Sequence, residues 1–158
     1  STLFPYTTLF RSRTGVEQAS SVLAGRPFPL AHSVDAECDA LESEHDPNSG
    51  CSYLREALAQ FERESRDEGW AASMEQKIRN FLLTKEPGKD PIRVLECRTS
   101  LCALDCVAGN QGLCHLDYEF TRAAGLLEHG EGRGYETDSS GARVTVSVLA
   151  YERREPIK

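Results

Sequence analysis

The residues most able to do chemistry are six cysteines in a chain of 158 residues. Cys97, Cys102, Cys106 and Cys114 lie close together, with His115 beside the last, and Cys38 and Cys51 form a separate pair. Three chemistries compete for such a set. Structural zinc is usually held by C-x2-C knuckles, whereas the gaps here are four, three and seven residues. A thiol oxidoreductase places C-x-x-C at a helix N-terminus, where the dipole stabilises the thiolate, and no such motif occurs. An even count in two clusters fits disulfides, and with them an oxidising compartment. A thiol-redox or zinc-binding protein using the Cys97–Cys114 cluster is the alternative.

Other constellations are weaker. His115 and Asp117 are near neighbours, yet neither lies in a nucleophile elbow or an H-E-x-x-H motif. His32, His45 and His129 fall in or near expected loops and read as solvated. Gly130-x-Gly132-x-Gly134 does not follow a strand, as a phosphate loop must, and reads as a connection. The acidic stretch between Cys38 and Cys51 lacks the calcium-hand pattern, so it reads as a solvated loop that a disulfide would close, worth about 3 kcal/mol. A net charge of −7 with Lys77, Lys85, Lys89 and Lys158 scattered argues against nucleic-acid binding. No apolar run approaches the roughly 18 residues of a membrane span. No catalytic residue, metal or cofactor is assigned; the sequence leaves an enzymatic activity open and favours a non-catalytic role.

The elements that must position these residues follow from periodicity. Residues 13–52 are rich in Ser, Gly, Pro, Asp and Glu and suit an irregular leader with a cysteine-closed loop. Leu54, Ala57, Leu58 and Phe61 recur at helical spacing, as do Trp70, Met74, Ile78, Phe81 and Leu82. Asp67 is the expected N-cap of the second helix, which stops near Lys85 before Pro87-Gly88. Trp70, Ile78, Phe81 and Leu82 are expected to form one buried stripe on the sheet, Trp70 anchoring it rather than stacking on a ligand.

Residues 92–97 and 101–107 then alternate as two strands across the link Arg98-Thr99-Ser100. Cys102, Leu104 and Cys106 fall on one face, and Leu101, Ala103, Asp105 and Val107 on the other. A tight hairpin would bring Cys97 and Cys102 within bonding reach, and the turn signal Gly109-Asn110-Gln111-Gly112 would let Cys106 and Cys114 meet. Leu113, Leu116, Phe120, Ala123, Ala124 and Leu127 suit a helix ending near Gly130. Asp138-Ser139-Ser140-Gly141 marks a turn before a strand at 144–151, with a short partner strand around Tyr135. The expected fold is α+β: two helices, then a mostly antiparallel sheet of about four strands with a further helix, stapled by disulfides.

Asp67-x-x-Trp70-Ala71-x-x-x-Glu75 on a helix, followed by Glu96-Cys97-Arg98-x-x-x-Cys102 on a strand, resembles an uncharacterised domain of exported bacterial proteins, including lipoproteins of myxobacteria. The resemblance covers about residues 53–152. It implies export and a Cys97–Cys102 bridge, and it implies no activity. The pairing of Cys38, Cys51, Cys106 and Cys114 rests on spacing alone.

The resulting organisation has four parts. Residues 1–12 resemble translated sequencing-adaptor DNA, so the true N-terminus is expected to be missing. The leader at 13–52, an α+β domain at 53–152 and a polar tail at 153–158 follow. The expected function is that of a non-catalytic, disulfide-stabilised interaction domain of the bacterial envelope, periplasmic or extracellular. Its partner is an unknown protein or envelope component. Arg98, at the hairpin link, is expected to bond Asp105 or a helix carbonyl; a contact with an acidic partner group is its second possible role.

Overall fold

The computed structural model describes residues 32–43, 50–85, 87–108 and 114–155. Residues 1–12, most of the expected leader and residues 156–158 lie outside them. In chain order the elements are α1 (His32–Ser43), α2 (Gly50–Arg63), α3 (Glu68–Lys85), β1 (Ile92–Cys97), β2 (Leu101–Ala108), α4 (Tyr118–Ala124), β3 (Leu126–Thr137) and β4 (Arg143–Arg153). The strands form one sheet in the order β1-β2-β4-β3, antiparallel throughout. An α+β fold with three disulfides is therefore what these residues adopt.

The sheet is covered on both faces, which the alternation of β2 already encodes. Leu101 and Ala103 pack with Leu54, Leu58 and Phe61 of α2 and Val34 of α1. Cys102, Leu104 and Cys106 pack with Ala71, Met74, Ile78 and Leu82 of α3, together with Leu149 and Tyr151 of β4. Burying side chains of this size contributes roughly 1.5–3 kcal/mol each. Asp67 caps α3, its Oδ1 accepting from Trp70 N at 3.2 Å. The stripe on α3 is narrower than expected, however. Ile78 and Leu82 are buried, while Trp70 and Phe81 are only half-buried at its margin. Arg153 stacks over the Trp70 indole, 4.9 Å from the ring centre, and Phe120 stacks on Phe81.

Three expectations are corrected. The stretch read as an irregular leader contains α1 and the start of α2, and Val34, Cys38 and Cys51 belong to the core. A half-cystine counts as an apolar core residue; with Cys38 counted so, Val34 and Cys38 form one helical stripe. The helix expected to run on to Gly130 is only α4, which Asp117 caps and Gly125 terminates at φ 67°. The glycine run read as a connection is the middle of β3. There Gly130, Gly132 and Gly134 face α1 and α2, and a Cβ on Gly130 would lie 2.6 Å from Leu54 Cα. These glycines let two helices lie directly against the strand.

Candidate functional site

All six cysteines are paired: Cys38 with Cys51, Cys97 with Cys102, and Cys106 with Cys114. Cys97 and Cys102 are register partners at the end of the β1–β2 hairpin, as the sequence anticipated. Cys38–Cys51 joins α1 to α2 rather than closing a simple loop. Paired sulfurs offer no thiolate to zinc or to a redox substrate. His115 accordingly sits away from any cysteine ligand set and meets carboxylates instead.

The residues of the helix and strand motifs converge on one junction. Here the corner between α2 and α3 is latched to the β1–β2 hairpin. Glu75 Oε1 accepts from Cys97 N at 2.8 Å, and Arg66 Nη1 donates to Cys97 O at 2.9 Å. Arg66 also donates to both oxygens of Glu75, and that carboxylate holds the guanidinium firmly charged. Glu64 accepts from Ser100 N and the Ser100 hydroxyl. Burial pushes the Glu64 carboxyl up, but its bonds from Ser100 and Gln60 outweigh this and leave it below its usual 4.5. Thr99 Oγ1 donates to Ser65 O.

Arg98 lies at the centre of the latch and is 5% exposed. Its Nη1 donates to Glu62 O at 3.4 Å and Glu64 O at 3.0 Å, and its Nε to Glu96 Oε1 at 3.1 Å. The guanidinium lies over the Phe61 ring, 4.5 Å from its centre. The carbonyls at the C-terminus of α2 lack intrahelical donors, and a cation there also suits the helix dipole. Arg98 thus caps the end of α2 through the carbonyl of Glu62 in the helix and that of Glu64 just beyond it, while Asp105 is held by another residue. Asp105 is instead bound by Arg93 at 3.0 Å, and Arg93 also bonds Glu136 at 2.6 Å. Asp105 is 1% exposed. Burial pushes its carboxyl up to about 6, the Arg93 charge only partly opposing this.

Among the described residues, the group that could hold a metal ion is His115, Glu128 and Glu131. Sequence spacing concealed it. In a regular strand, residues three apart face opposite ways. In β3 the register slips between Glu128 and Gly130, making His129 an extra residue. Glu128 therefore pairs with Tyr151 and Glu131 with Leu149, both on the α3 side, so the two carboxylates share a face. A glycine inside a strand pattern was the one hint of such a bulge. His129, expected in a loop, is the bulged residue, and its Nδ1 lies 3.3 Å from Glu152 Oε2.

No protein-family model, curated protein or solved structure matches this chain. No described helix is long and apolar enough to cross a membrane.

Proposed function

We propose that the chain is a non-catalytic, disulfide-stabilised interaction domain of an exported protein, working at the bacterial envelope with a protein or envelope component as partner. The observation that carries this reading is the engagement of its reactive groups. Every cysteine is paired, and the motif residues Asp67, Glu75, Glu96 and Arg98 hold the α2–α3 corner to the sheet. Function then falls to the surface, where Tyr118 and Tyr135 are more than half exposed. Tyrosine is a residue type enriched at protein interfaces. Three disulfides support an oxidising compartment. The envelope assignment is drawn from the motif resemblance.

Thiol counting on air-purified protein, with and without denaturant, tests it. The expected result is no free thiol in either state. Two or more reactive thiols, or zinc that a thiol reagent releases, would overturn it in favour of a redox or zinc–cysteine protein.

A further inference from the structure

We infer that His115, Glu128 and Glu131 form a binding site for a divalent first-row transition-metal ion. His115 Nε2 lies 3.2 Å from Glu128 Oε2 and 3.6 Å from Glu131 Oε2. Ligands bound to zinc at 2.0–2.2 Å in a tetrahedron stand about 3.3 Å apart. Both distances from Nε2 are near that separation, and the three ligand atoms all lie within 4.8 Å of one another.

The surroundings prepare the imidazole as a ligand. His115 Nδ1 lies 3.2 Å from Leu116 O. A carbonyl only accepts, so an imidazole that gives its Nε2 lone pair to a metal would keep a proton on Nδ1 for Leu116 O, with Nε2 on the side of the carboxylates. Metal-binding histidines are oriented in this way by a backbone carbonyl on the far nitrogen. Glu131 is divided similarly: Arg133 Nε donates to Oε1, leaving Oε2 towards His115. A hydrogen bond to the second oxygen is the usual support of a ligating carboxylate.

The backbone that carries His115 is fixed on three sides. Cys114 is bonded to Cys106, Lys85 Nζ donates to His115 O at 3.0 Å, and Leu116 N donates to the Tyr151 hydroxyl at 3.2 Å. Burial holds the Tyr151 phenol above its usual range; the Leu116 bond opposes this, and the charges of Glu128 and Glu131 add to the rise. Two carboxylates, that of Glu131 paired with Arg133, thus stand above a buried floor. The site's own side chains remain partly open to solvent, with His115 at 40% and Glu128 at 38%.

The ligand set selects the class of ion. Calcium takes six to eight oxygens, and magnesium keeps an octahedral shell of oxygens and waters. One imidazole with two carboxylates suits zinc and its neighbours. Three protein ligands also leave a position for water, as open zinc sites do.

Zinc titrated calorimetrically into the chelator-treated full chain is the test. The expected result is one equivalent bound through these residues, with a rise in thermal midpoint at saturation. His115→Ala and Glu128→Gln should each weaken that equivalent by roughly a hundredfold, the upper range seen even for second-shell losses. Both positions are partly exposed, so circular dichroism should show folded variants. Glu119→Gln, which removes an exposed carboxylate of α4 outside the site, should bind as the parent does. Absence of a stoichiometric equivalent, or an equivalent unchanged in Glu128→Gln, would overturn the site. Zinc held here is not released by thiol reagents, so this result and the thiol count fail independently.

Discussion

Arg98 and Asp105 are both buried and charged, yet their surroundings give them opposite consequences. Arg98 meets two carbonyls, a carboxylate and an aromatic face, so its removal leaves the end of α2 and Glu96 without their cation. Arg98→Ala should cost roughly 3 kcal/mol, the lower end for breaking a buried pair. Arg98→Lys keeps the charge but loses the fork, and should recover only part of that in denaturant unfolding. Unchanged stability in both variants would remove Arg98 from the latch and return it to the surface as a partner contact. Asp105 has one side-chain partner, Arg93 at Oδ2, and is a destabilising charge; its Oδ1, like Nη2 of Arg98, is buried without a partner among the described residues. Its folded pKa of about 6 lies above the ordinary 3.8, so the native state holds its proton more tightly than the unfolded chain. The penalty is absent below pH 4, grows between pH 4 and 6, and is complete above, where it amounts to about 3 kcal/mol. Asp105→Asn should therefore match the parent near pH 4 and exceed it by up to that amount at pH 7. Unfolding both proteins at the two pH values checks this; a difference independent of pH would refute it. Arg98 stood out in the sequence because no periodicity requires an arginine there. The burden on Asp105 was hidden, because alternation gives a face but not how deeply that face is covered.

At the scale of elements, legibility followed the strength of each periodic signal. The α2 stripe, the Met74–Ile78–Leu82 part of the α3 stripe, the Asp67 cap, the β1–β2 hairpin and the two faces of β2 were readable because apolar spacing and local turn chemistry agree there. β3 was not, because its inward positions are glycines, which carry no hydropathy and imitate a loop. Their role emerges only once α1 and α2 are placed against them. That contact makes the three glycines unequal. A methyl on Gly130 would meet Leu54 N and Cα and Tyr53 C, all backbone atoms that cannot rotate away. On Gly132 it would meet Val34 Cγ1 and Leu54 Cδ2, which are side-chain ends. Gly130→Ala should cost on the order of 3 kcal/mol and Gly132→Ala about 1 kcal/mol, the two ends of the overpacking range. Thermal or denaturant unfolding of the pair measures the contrast. Equal, small effects would mean that α2 stands further from β3 than 2.6 Å implies.

The whole molecule depends on its disulfides more than its size alone would suggest. Their sequence separations are 13, 5 and 8 residues. On the chain-entropy estimate the longest contributes about 3 kcal/mol and the two shorter ones somewhat over 2 kcal/mol each. Together they approach 8 kcal/mol, comparable with the entire net stability of an ordinary domain, about 5–15 kcal/mol. The three bonds are also distributed across the fold: one joins α1 to α2, one closes the β1–β2 hairpin, and one ties β2 to the segment that carries His115. Reduction should therefore loosen both faces of the sheet together. Reduced and alkylated protein should lose its cooperative thermal transition or melt tens of degrees lower. The Cys38→Ala/Cys51→Ala double variant should fall furthest among the three single-bond deletions, its loss centred on α1, where limited proteolysis can locate it. If the reduced chain instead melts where the oxidised chain does, the bonds are incidental to the fold, and the inference of an oxidising compartment loses its physical basis.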